Sequence, residues 1–149
     1  MSSVVSYCKI VSNLPVDIQL LIDTYCNATT SYYEDEVKKV ALEYDIGVFG
    51  FGDADLFRLY NVRNIYRCIN EIPHIFKRMK TFGSRHTVGS YGGKHRVEEY
   101  RCKNKSKDCY ISNGEFIVAM ILSKFNIQRH KNSPNSPNCS FNATTIKQK

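Results

Sequence analysis

The sequence predicts a mainly α fold: a single compact domain of five or six helices with at most a short β-hairpin. Three observations carry that prediction. Apolar residues recur at helical spacing in several separate windows. Ser31–Glu34 and Ser112–Glu115 both have the Ser-x-x-Glu spacing of a capping box, in which each side chain satisfies the other residue's free backbone N–H. The 149 residues, 42% hydrophobic and 23% charged, match one ordinary globular domain able to bury its own core.

Along the chain, Asn13-Leu14-Pro15 starts the first helix with Pro in its first turn, and Ile18, Leu21, Ile22 and Tyr25 share one face. Asn27 to Thr30 reads as a polar break. The Ser31 box then opens a second helix to about Tyr44, striped by Tyr33, Val37, Val40, Ala41 and Tyr44. DIGVFGFGDAD reads as a loop or a short irregular strand. It has neither GxGxxG spacing nor a Walker lysine, so it receives no nucleotide role.

Asp53 and Asp55 lead into a helix over 55–71, where Leu59, Val62, Tyr66 and Ile69 recur. Pro73 starts or kinks a further helical segment, PHIFKRMKTF, closed by Gly83. Ser90 caps a helix through Arg101, and CKNKSKD is a basic loop. The Ser112 box opens a helix to about Phe125. Its run from Phe116 to Leu122 is apolar on every side, as in a central core helix. Residues 1–130 therefore make the domain. Residues 131–149, with two prolines among polar residues, read as a loosely ordered tail with Phe141 as an anchor.

Charge is the informative bulk property. The net charge is +7, yet residues 1–60 hold four Lys/Arg and nine Asp/Glu. Residues 77–107 hold ten Lys/Arg against Glu98 and Glu99. Such a concentration points to an anionic partner. The expected phosphate-contact set is Lys77, Arg78, Lys80, Arg85, Lys94, His95, Arg96, Arg101, Lys103, Lys105 and Lys107. Phosphate contacts position a protein without reading sequence. Tyr91, Tyr100 and Tyr110 lie among these cations, where they either pack or stack on single-stranded bases.

GSYGGKHRVEEY (89–100) has two readings. Gly92 and Gly93 in a first helical turn open backbone N–H groups to a phosphate, with Lys94 beside it. Alternatively, the glycines let the helix pack closely, and Lys94 and His95 pair with Glu98 and Glu99 along its surface.

Other chemistry is poorly supported. The longest apolar run is far shorter than the ~20 residues of a membrane span, and no membrane partner is expected. The N-terminus lacks the basic start and apolar stretch of a signal peptide, so an intracellular location is expected. The six cysteines are then expected as free thiols. His86, His95, Cys102 and Cys109 include no close ligand pair, so no metal or other cofactor is expected. No GxSxG or HExxH pattern is present, and no catalytic residue is assigned.

SYGGKHRVEEY (90–100), YISNGEFIVAMILSKFNI (110–127) and PNCSFN (137–142) together resemble a pattern in small uncharacterised proteins of large DNA viruses and phages. There a Ser-Tyr-Gly-x-Lys-His helix precedes a Tyr-x-Ser-Asn-Gly-x-Phe-Ile helix and a Pro-Asn-x-x-Phe-Asn ending. The match covers the C-terminal third. The resemblance implies a viral origin, with host cytoplasm, nucleus or virion as the location, and brings no activity with it.

The expected function is that of a non-enzymatic viral accessory or virion-associated protein. It would bind nucleic acid or another polyanion through phosphate contacts. One alternative is a protein-interaction or capsid-associated structural component, whose basic segment meets an acidic protein surface such as the acidic half of another copy. The other is an enzyme with an unrecognised Cys/His site, Cys102 with His95.

Overall fold

The computed structural model describes residues 15–52, 61–83 and 86–147, with side chains throughout except at 17 and 22–31. These residues hold four helices and seven short strands in three small sheets, a mixed α/β fold. The mainly α expectation, with its single optional hairpin, is overturned. Each strand is only two or three residues long. So short a strand displays no alternation of apolar and polar residues, and periodicity cannot reveal it.

The chain divides into two compact units, at Glu36 and Val37. Helix α1 spans Val16–Glu43, and Pro15 opens it by accepting the Ile18 and Gln19 N–H groups. The polar break expected at Asn27–Thr30 is absent. No Gly or Pro occurs between Val16 and Glu43, and Asn, Ser and Thr each cost only a few tenths of a kcal/mol inside a helix. Ser31 is therefore mid-helix and has no helix end to cap.

The second unit follows. Strands β1 (Ile46–Gly47) and β2 (Gly50–Phe51) form a tight hairpin with Gly47 opposite Gly50. The expected lead-in at Asp53 and Asp55 lies outside the described residues; helix α2 (Val62–Ile75) starts at Asn61, whose side chain accepts the Asn64 N–H at 3.1 Å. Its buried Ile65, Cys68, Ile72 and Ile75 recur at helical spacing. Pro73 lacks the N–H that would continue the ladder, and α2 ends two residues later. The chain then turns to strand, β3 (Phe76–Arg78), where the sequence predicts helix. Gly83 closes no helix; its carbonyl accepts the Thr87 hydroxyl at 2.7 Å.

Strand β4 (Val88–Gly89) leads directly into α3 (Ser90–Lys103), and α4 spans Asn113–Leu122. Strands β5 (Ile127–Arg129), β6 (Cys139–Phe141) and β7 (Ala143–Thr145) complete the unit. β6 lies between β4 and β5, with Phe141 opposite both Val88 and Ile127. β7 pairs antiparallel with β3, with Lys77 opposite Thr144. Two stretches of the segment read as a loose tail, 139–141 and 143–145, are thus sheet, and Cys139, Phe141 and Ala143 are core residues. Phe141 does anchor it, packing edge-to-face on Phe116 with centroids 5.8 Å apart.

Helix α4 is the centre of the unit, as its composition predicts. Residues 111–120 are all buried, and α4 packs on α2 and α3. The Ser112 capping box forms, with the Glu115 N–H donating to Ser112 Oγ at 3.2 Å and the Ser112 N–H to Glu115 Oε2 at 3.0 Å. Gly114 is required there. Its N–H donates to the Val48 carbonyl at 3.0 Å, and any Cβ would run into the Gly47 carbonyl oxygen.

Candidate nucleic-acid interface

The basic segment divides structurally into interior and exterior cations. Along α3 the buried residues are Ser90, Gly93, Lys94, Val97 and Arg101. This is one helical stripe, so Lys94 and Arg101 face the core with Val97. The spacing was legible in the sequence, but charge concealed it.

The Arg101 side chain is 0% exposed. Its Nε donates to Glu71 Oε2 at 2.8 Å, and its Nη1 to Asn64 Oδ1 at 2.7 Å and the Tyr110 carbonyl at 2.9 Å. Asn64 Nδ2 in turn donates to Glu115 Oε2 at 3.0 Å. One polar network therefore joins α2, α3 and the start of α4. Arg101 has no face left for a ligand.

Lys94 is nearly as enclosed, with a side-chain exposure of 10%. Its Nζ donates to Glu98 Oε1 at 3.0 Å and lies 3.4 Å from the Ile111 carbonyl. The same ammonium sits 5.7 Å from the centre of the Tyr91 ring and 5.2 Å from that of Tyr110. His95 Nδ1 is 2.6 Å from Glu98 Oε2. Burial pushes the Glu98 carboxyl upward, but hydrogen bonds from Lys94, His95 and the Ile111 N–H outweigh it and hold its pKa below the ordinary value.

The glycine pair also resolves. A Cβ on Gly93 would lie 2.6 Å from Phe116 Cζ, so Gly93 serves close packing of α3 on α4, whereas Gly92 faces open space. Ser90 caps no helix. Its hydroxyl lies 3.4 Å from Asn138 Oδ1 and accepts the Cys139 N–H at 3.2 Å. Asn113 Nδ2 donates to Asn138 Oδ1 at 3.1 Å and to the Phe49 carbonyl at 3.0 Å. The Ser-Tyr-Gly, Ser-Asn-Gly and Pro-Asn segments therefore meet in one junction, and their polar residues serve the fold.

Among the remaining cations, Lys77, Arg78, Lys80, Lys103, Lys105 and Lys107 are exposed and form no ion pair among the described residues. Arg96 is exposed and 3.3 Å from Glu99. Arg85 lies outside the described residues. Lys103, Lys105 and Lys107 border a loop held in place by Arg67, which donates to Ser106 Oγ at 2.8 Å and the Asp108 carbonyl at 3.0 Å. A Cys102–Cys109 disulfide closes the same loop, with Cα atoms 5.5 Å apart. The free-thiol expectation fails for that pair and holds for Cys68 and Cys139, both buried, while Cys8 and the Cys26 side chain lie outside the described residues.

Among the described residues, cations line a pair of depressions. One, of about 370 Å³, is lined by Arg78, Met79, Lys80, Lys124, Asn126 and Asn142. Its lining has three cations and no acid. Arg78 Nη1 donates to the Lys124 carbonyl at 2.9 Å, which fixes the guanidinium at its rim. The other, of about 420 Å³, brings Arg96, Glu99, Tyr100 and Lys103 of α3 beside Ile146 and Lys147. Lys124 and Lys147 lie far along the chain from the basic segment. No local signal marks them as its neighbours, because only the β3–β7 pairing and the turn after α4 bring them there.

No helix among the described residues is long and apolar enough to cross a membrane. No group of three or more His, Cys, Asp or Glu among the described residues is placed to hold a metal ion. No protein-family model, curated protein or solved structure matches the chain.

Proposed function

We propose that the chain is a non-enzymatic viral accessory or virion-associated protein that binds nucleic acid through its phosphates. The observation that carries this reading is the depression at Arg78, Lys80 and Lys124, with three cations and no acid in its lining. Exposed cations without carboxylate partners attract polyanions and lose little on binding, whereas paired ones must first surrender a partner. The lysines at 103, 105 and 107 add further positive charge on a held loop. Lys94 and Arg101 act indirectly, by fixing the helices that present the surface.

The viral assignment rests on the sequence resemblance alone. Location follows with it, and the redox state of Cys102 and Cys109 in the isolated protein would distinguish the compartments. A reducing host cytoplasm keeps that pair as thiols, and an exposed virion keeps it bonded.

Fluorescence anisotropy of labelled single- and double-stranded DNA and RNA, titrated at several salt concentrations, tests the proposal. The expected result is binding whose log K falls linearly with log salt. No binding at low salt to any of the four probes would remove the nucleic-acid reading and leave an acidic protein surface as the partner to seek.

A further inference from the structure

From the geometry around Lys94 we infer that Tyr91 and Tyr110 form a stacking subsite for unpaired nucleobases. The inference rests on the nucleic-acid reading above and adds single-strand selectivity to it.

Tyrosines in a small domain usually bury most of the ring, and Tyr44, Tyr66 and Tyr100 here are partly buried against the core. Tyr91 and Tyr110 differ from these, being 59% and 61% exposed, as Tyr32 of α1 also is at 59%. One is in the first turn of α3 and the other in the loop before α4, yet both lie against the same ammonium, at 5.7 and 5.2 Å. That ammonium is held by Glu98 and the Ile111 carbonyl, so it does not wander. A cation at this distance from a ring centre attracts the ring's negative face and restrains the ring. Tyr91 is also braced edge-on by His95, with centroids 4.7 Å apart and planes at 87°. The Tyr110 backbone is fixed by its N–H donating to Asp108 Oδ1 at 3.1 Å.

The result is two exposed rings whose positions are set before any ligand arrives. Rigid aromatic surface with only two side-chain torsions loses little entropy on binding. Bases stack on such rings whatever their identity, because every base has a π-face. In a duplex those faces are already stacked, so only unpaired bases are available.

Lys94 itself is committed to Glu98 and is not a phosphate contact. The subsite therefore recognises bases, while the exposed lysines recognise phosphates. Lys105 and Lys107 lie within five residues of Tyr110 in sequence, in the loop closed by Cys102–Cys109, and are the cations this reading assigns to the flanking phosphates.

The test compares a labelled oligothymidylate with an abasic deoxyribose-phosphate strand of the same length and charge, by anisotropy against wild type, Tyr91→Ala, Tyr110→Ala and the matching Tyr→Phe variants. Circular dichroism confirms folding of each. The expected result is weaker binding of the abasic strand by wild type, and a loss of about fivefold or more in oligothymidylate affinity for each Ala variant. The Phe variants keep the affinity, and the slope of log K against log salt is unchanged throughout. Equal binding of the two strands by wild type would overturn the stacking subsite and leave the phosphate reading standing. Absence of binding to both would overturn the two together.

Discussion

Replacing Arg101 is the sharpest perturbation of the second unit, because its guanidinium is fully enclosed and joins α2, α3 and the segment entering α4. In Arg101→Ala, Asn64 Oδ1 loses its donor, and a buried acceptor without a partner costs about 1–3 kcal/mol. Glu71 loses one of its two cations but keeps Arg67 at 3.0 Å, which limits the cost on that side. A cavity of nearly a whole side chain adds to both. Breaking a buried ion pair from one side costs about 3–5 kcal/mol in general, and this variant belongs in that range. Urea unfolding followed by circular dichroism measures it. With m of about 2 kcal/mol/M, Cm falls by about 2 M. Arg101→Lys keeps the charge but cannot reach Glu71 and Asn64 together, and is expected between Ala and wild type. A loss under about 1 kcal/mol for Ala, or Lys indistinguishable from wild type, would refute the interior role.

Gly114→Ala drives a Cβ into the Gly47 backbone, and overpacking of this kind costs about 1–3 kcal/mol or more; thermal unfolding should show the drop, while Gly92→Ala, in open space, should not. Glu98 contributes to acid stability. Its folded pKa lies below the ordinary 4.5, so its contribution is present above that pH and is lost as pH falls through the lowered value. Glu98→Gln should flatten the acid limb of a stability–pH curve below about 4.5 and leave the alkaline side alone. Burial pushes the Cys139 thiol up to about 12, although Arg129 and Ser90 pull against it, and burial likewise raises Cys68. Iodoacetamide at pH near 8 should therefore spare both thiols in the native protein and label both after unfolding, as read by peptide mass spectrometry.

The legible parts of the fold were those with a local cause. Ser112 and Glu115 announce α4 through a reciprocal cap, and the apolar run behind them announces its burial. Strands β3 and β7 had no such cause. Phe76–Arg78 is a strand because Ala143–Thr145 returns to pair with it, a contact more than sixty residues away in sequence. The junction of Asn113, Asn138 and Ser90 is equally non-local. At the candidate interface, counting charge located the basic segment but could not separate its members. The stripe 90, 93, 94, 97, 101 would have separated Lys94 and Arg101 from the exposed cations, since a helix that buries Val97 must also bury residues three and four positions away. Lys124 and Lys147 had no sequence signal at all.

The proposed function assigns phosphate contact to the exposed, acid-free cations and not to the buried ones. The salt slope of single-strand binding measures this directly, by comparing wild type with the triple variant Arg78→Ala/Lys80→Ala/Lys124→Ala. Each phosphate contact contributes roughly 0.7 to the slope on a single strand, so removal of three should reduce its magnitude by about 2. An unchanged slope in the triple variant would contradict the account, because the phosphates would then be held elsewhere.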